Sequence, residues 1–288
     1  MKKILFCLFL ISPMLAMSQV GSEIYLFDVQ LSGSKMAVSN PKNVTNHKGY
    51  DNQPSFHSSK PLLYYSSFNE EGRADIKVYD YKSGKTSSLT LTNEREYSPT
   101  ITPDGKYISC IIQRDNNAQD LGKYPIGGGK AITLVDNLIV GYHAWVDENS
   151  LILFALGEPM TLQWYDLKKK EGKMLEENIG RSLHKIPGEK AMSFIHKKSE
   201  GNWVINRLDI ASQNITPIIP TIEGSEDLTW TIDGRIIMSD GNQLFFYNTK
   251  TKSDWTEVDM NLGDTKISGI TRLAITKDGK KLAVVVSE

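Results

Sequence analysis

The chain carries five histidines, His47, His57, His143, His184 and His196. These are the side chains best suited to hold a metal or to move a proton near neutral pH. None stands in a His-Glu-x-x-His run, and there is no Cys-x-x-Cys pair, so no local spacing builds a metal site. No Gly-x-Ser-x-Gly elbow is present to expose a nucleophilic serine. Cys110 sits inside "YISCIIQ", an apolar run that predicts a buried and inert thiol. "PIGGGKA" (125–131) has the glycines of a phosphate cradle without its strand-to-helix setting or full spacing, and reads as a flexible turn. The pairs Asp104-Gly105, Asp233-Gly234 and Asp278-Gly279 offer one carboxylate each. A calcium loop needs several oxygens at alternating positions, so these are turns. Motifs alone therefore assign no catalytic residue, no metal ligand and no cofactor. Any joint chemistry of the histidines depends on a fold that gathers them.

The Asp-Gly turns are the way into that fold. "YSPTITPDGKYISCIIQ" (97–113) is a short apolar run, a turn and a second apolar run, which is the pattern of a β-hairpin. The hairpin recurs five more times. Aligned at Pro54, Pro99, Ala144, His184, Thr229 and Leu273, the copies stand 45, 45, 40, 45 and 44 residues apart. A period of about 40–50 residues with several strands per unit is the mark of a β-propeller. Each copy has a second half, such as "DIKVYDYKSGKTSSLTL" (75–91), giving four antiparallel strands, a to d. The last hairpin has none, but "SEIYLFDVQLSGSKMAVSNPKNVT" (22–45) has the third- and fourth-strand pattern. The expected fold is all-β: one six-bladed propeller over residues 19–288, closed by N-terminal strands that complete the C-terminal blade and hide its free edges.

"SPTITPDGKYISCII", followed later by "DIKVYDYKSGKTSSLT", resembles the short WD40-like (PD40) repeats of TolB-type six-bladed propellers. The resemblance covers almost all of residues 19–288, is weakest at the fourth hairpin, "HKIPGEKAMSFIH", and leaves no room for the α/β domain that precedes the propeller in TolB itself. It implies a non-enzymatic module that docks a protein or peptide of the cell envelope. The chain also resembles oligogalacturonate lyases, whose propellers place a metal on channel histidines and a glutamine. That second likeness implies the alternative, a metal-dependent carbohydrate-active enzyme drawing on Gln53, His57, His143 and His184.

In a propeller the d-to-a loops share one face with the b-to-c loops, and the candidate binding residues fall on or beside the d-to-a loops: Arg95, Tyr97, Tyr142, His143, Arg181 and Asp227. Tyr and Arg are common anchors of binding surfaces. The first residues, "MKKILFCLFLISPMLAMSQ", have two lysines, an apolar run from Ile4 to Leu15 and small residues at its end. They read as a signal peptide over residues 1–18, placing the protein in the periplasm or outside the cell as a monomer that does not span a membrane. The formal net charge is −1, and there is no basic stripe, so nucleic acid is excluded as a partner.

Overall fold

The strands near the middle of each blade are apolar on both faces, because each blade is covered by a neighbour on either side. In the strand Lys281–Ser287, Leu282, Val284 and Val286 pack toward the blade before it, while Ala283 and Val285 pack toward the blade after it. Such strands read as continuous hydrophobic runs, with the two-residue period concealed. The computed structural model describes residues 21–252 and 254–288, so the expected signal segment, 1–18, lies outside the described residues.

Six sheets form the ring. The first blade runs Asp51–Phe56, Leu62–Phe68, Ala74–Asp80 and Lys85–Ser88, each strand antiparallel to the one before. The next four repeat that order, beginning at Arg95–Ile101, Val140–Trp145, His184–Lys185 and Thr229–Trp230. One buried apolar cluster lies between each pair of neighbouring blades, including the pair formed by the last and the first. The circle is thus closed by packing all the way round.

The sixth blade joins the two ends of the chain. Ser22–Ser32 pairs antiparallel with Lys281–Ser287, from Ser22 opposite Ser287 to Asp28 opposite Lys281. Lys35–Asn43 then lies outside Ser22–Ser32, as the expectation had it. The structure adds a strand that the repeat did not announce. Asp259–Asn261 runs parallel to Lys35–Asn43, so this sheet has five strands where four were expected. The extra strand covers the outer edge of the blade that carries the seam.

The Asp-Gly turns differ in detail from a two-residue hairpin loop. Gly105 N–H donates to Thr102 O (2.9 Å), and the glycine alone of the pair stands at positive φ, +69°. Thr102 completes the turn. Its hydroxyl donates to Asp104 Oδ1 (2.5 Å) and accepts from the Tyr107 amide (3.1 Å), while Asp104 Oδ1 also takes the Lys106 amide (3.1 Å). Thr231-Asp233 and Thr276-Asp278 repeat the arrangement. The unit is Thr-x-Asp-Gly, a four-residue loop with a side-chain brace.

Candidate functional site

A cavity of about 380 Å³ lies on the ring axis, walled by one segment from each of the six blades. All six positions at which the hairpins align, Pro54, Pro99, Ala144, His184, Thr229 and Leu273, lie in that wall. The segments enter on polar residues: Gln53, Ser98, Tyr142, Arg181, Asp227 and Arg272. Small residues follow at Ser55, Thr100 and Ala274, and the far end is reached at Phe56, Ile101, Trp145, Lys185 and Ile275. The cavity thus has a charged mouth and a largely apolar floor.

At the mouth, Arg181 grips Asp227 with two hydrogen bonds, Nε to Oδ1 at 3.1 Å and a terminal nitrogen to Oδ2 at 2.5 Å. Burial works against the Arg181 charge, and the Asp227 carboxylate more than offsets it, so the guanidinium stays firmly protonated. Arg272 faces the same carboxylate at 3.6 Å, donates to the Tyr142 hydroxyl at 2.7 Å and lies 5.0 Å from that ring's centroid. Tyr50 is within electrostatic reach of Arg272, Tyr142, Tyr97 and Arg181, and its burial pushes the phenol pKa up. Tyr97 meets the Tyr50 ring edge-on, with centroids 6.4 Å apart.

The structure therefore brings Tyr142, Arg181 and Asp227 together and sets Tyr97 beside them. Arg95 is turned outward into an ion pair with Asp115 (2.9 Å), which Arg73 also holds. Arg272 was not among the sequence candidates. For Arg272 the signal was present, since it directly precedes the alignment point Leu273, just as Gln53, Ser98 and His143 precede theirs.

His143 belongs to the wall but not to the charged mouth. Its Nε2 lies 2.7 Å from Ser109 Oγ, which also accepts the Trp145 indole N–H (2.9 Å) and reaches the Thr100 carbonyl (3.0 Å). The one hydroxyl proton satisfies Thr100, so His143 donates from Nε2 and its Nδ1 carries the lone pair. That Nδ1 is buried with no partner. Burial pushes the imidazole down to about 3, and it is neutral at pH 7. His184, whose Nε2 is 3.0 Å from Ser182 Oγ, is pushed down to about 4, again chiefly by burial.

The metal set does not assemble. His57 Nδ1 accepts the Ser59 and Lys60 amides, both at 3.1 Å, and so braces the first blade's inner turn. Gln53 Oε1 accepts the Ser98 amide (2.7 Å) and the Ser66 hydroxyl (3.1 Å), tying the first blade to the second. Among the described residues, no three His, Cys, Asp or Glu side chains converge on one point. His57 Nδ1 and Gln53 Oε1 are committed to a turn and a blade contact, no donor set converges among the described residues, and those residues do not fit a catalytic metal centre.

No family model and no curated protein matches the chain. Solved structures do. TolB from Acinetobacter baumannii superposes with a TM-score of 0.58 at 15% identity, over 93% of this chain and 65% of that one. A TolB-type protein from Agrobacterium tumefaciens gives 0.70 at 13% identity, over 94% and 99%. An oligogalacturonate lyase in complex with manganese gives 0.59 at 11% identity, over 88% and 83%. The fold is that of the TolB-like propellers. This chain thus spans about two-thirds of the length of the Acinetobacter protein. At these identities the likeness carries the fold alone.

Proposed function

We propose that the protein is a binding module of the cell envelope, docking a protein or peptide partner on the face that holds the cavity mouth. The observation that carries this reading is the cluster of Arg181, Asp227, Arg272 and Tyr142 at that mouth. Arginines and tyrosines that are partly desolvated before a partner arrives are the usual anchors of an interface. Exposed apolar side chains support the same face. Leu91 and Ile139 are on d-to-a loops, Leu156 and Met160 follow a b strand, and all four are exposed. The Leu156 amide donates to the Ile139 carbonyl, which joins two of them directly. Apolar side chains that share a face with polar anchors are what an interaction surface combines. The N-terminal segment, taken as a signal peptide, supports a periplasmic or secreted location.

The test is capture from an envelope extract with purified protein, followed by the Leu156→Asp/Met160→Asp double variant. One dominant partner is expected with the parent protein and is lost with the variant, while the melting temperature stays unchanged. Equal capture by both proteins would remove the face from consideration. Elemental analysis finding one tightly held metal per chain would favour an enzyme instead.

A further inference from the structure

Arg272 is a cation with most of its hydrogen-bonding capacity unspent. Its side chain is 16% exposed. Its guanidinium makes one hydrogen bond, to Tyr142, and stands from Asp227 at 3.6 Å, beyond hydrogen-bond range. Asp227 is already held by both of its oxygens on Arg181. A guanidinium has five N–H donors in a planar fork, and those not used on Tyr142 are open to the cavity. It lies against the Tyr142 ring and borders the cavity.

The charge of the wall points the same way. Arg181, Lys185 and Arg272 stand against one carboxylate, Asp227, and the two histidines are neutral. Lys185 is engaged by the Val146 carbonyl (2.8 Å) toward the floor. Arg181 is neutralised by Asp227, and the excess positive charge at the mouth is therefore that of Arg272.

From this arrangement we infer that the cavity receives an acidic peptide segment of the docked partner, with a carboxylate on the Arg272 fork. This rests on the docking reading above and names the chemistry at its centre. A carboxylate has the planar, two-oxygen shape that the fork matches, and the contact is charge-assisted. Asp227, carried on the protein and held by Arg181, keeps Arg181 from competing for the incoming group. Beneath the mouth, Phe56, Ile101, Trp145 and Ile275 offer an apolar floor for the side chain next to the carboxylate. A volume of about 380 Å³ takes one or two residues of the segment and leaves the rest on the rim.

The experiment measures fluorescence anisotropy with a labelled hexapeptide, Gly-Gly-Ser-Gly-Asp-Leu with a free carboxyl end. The control is the same peptide with Asn for Asp and an amidated end. The acidic peptide is expected to bind about tenfold or more tighter than the control, with the difference shrinking as salt is raised. Arg272→Gln should remove the preference at an unchanged melting temperature. Arg272→Lys, which keeps the charge but not the fork, should weaken binding and keep the salt dependence. Equal binding of the two peptides, or an Arg272→Gln variant that retains the preference, overturns the inference. Binding of trigalacturonate without the peptide overturns it in favour of a sugar acid. If the partner is captured in the envelope assay while the acidic peptide shows no preference, this inference fails and the docking reading stands. If no partner is captured, the docking reading fails on its own evidence.

Discussion

Ser109 is the residue on which the cavity wall turns. One hydroxyl joins three strands of two blades through Thr100 O, His143 Nε2 and Trp145 Nε1. Ser109→Ala removes three hydrogen bonds and leaves the His143 and Trp145 N–H donors, one buried and one half-buried, without that partner. A loss of about 2–4 kcal/mol is expected in denaturant unfolding, since each unsatisfied buried group costs about 1–3 kcal/mol. A loss below ~1 kcal/mol would mean that water replaces the hydroxyl. His143 sets a pH dependence with a definite sign. Its folded pKa is near 3, and that of His184 is near 4, both below the ordinary 6.5. As pH falls through about 6.5, the unfolded chain takes up protons that the folded chain refuses, so stability is full above that pH and declines below it. Asp51 opposes this in part, because burial raises its carboxyl to about 6 and the folded state is then the first to take that proton. Between pH 7 and 5 the two histidines outweigh it. The melting temperature should fall over that range, and should fall less in His143→Gln, whose amide still reaches Ser109. A variant with the same slope as the parent protein would show that His143 does not titrate as described.

At the scale of the element, the inner hairpins differ in how their turns are braced, and that decides how well the sequence showed them. Thr-x-Asp-Gly at Thr102, Thr231 and Thr276 carries its own brace and is plain in the sequence. Gly105→Ala should cost about 1–2 kcal/mol, the cost of a Cβ in the left-handed region. Asp104→Ala should cost about 1 kcal/mol through the lost Thr102 and Lys106 contacts. Both are read by urea unfolding, and costs near zero would make the turn an incidental feature. The fourth hairpin is less legible because its turn is of another kind. The Glu189 amide donates to the Ile186 carbonyl (3.2 Å) and Gly188 sits at φ +77°, with Pro187 before it and no threonine brace. In the first hairpin His57 replaces the threonine altogether, and a histidine that looked available for a metal turns out to hold a loop. Turn chemistry is local and shows in three or four residues. The commitment of His57 and Gln53 is a matter of partners far along the chain, and no local pattern announces it. Arg272 lay between these cases. Its repeat position was visible, but its pairing with Tyr142, 130 positions away, was not.

The whole molecule depends on a seam at which the first described strands meet the last. Residues 22–45 supply Phe27, Met36 and Val38 to the cluster on one side of the sixth blade, and Ile24, Leu26 and Val44 to the cluster on the other. They thus contribute to two of the six interfaces that close the ring. They also shield Lys281–Ser287, whose five inner residues from Leu282 to Val286 are buried. Removing them exposes an apolar strand with unpaired backbone groups, which is a template for pairing with another chain. It also strips Asp259–Asn261 of the one strand partner it has among the described residues. The loss is therefore not confined to one blade, as the removal of a peripheral hairpin would be. A protein lacking residues 22–45, with residues 1–21 retained, should collect in aggregates and give no monomer peak in size-exclusion chromatography. Supplying the segment as a separate peptide during refolding should recover part of the monomer, because the seam is held by pairing and burial with no covalent link. A soluble truncated monomer with one cooperative melting transition would show that five blades and an open hairpin suffice, and that the seam is not what keeps the ring closed.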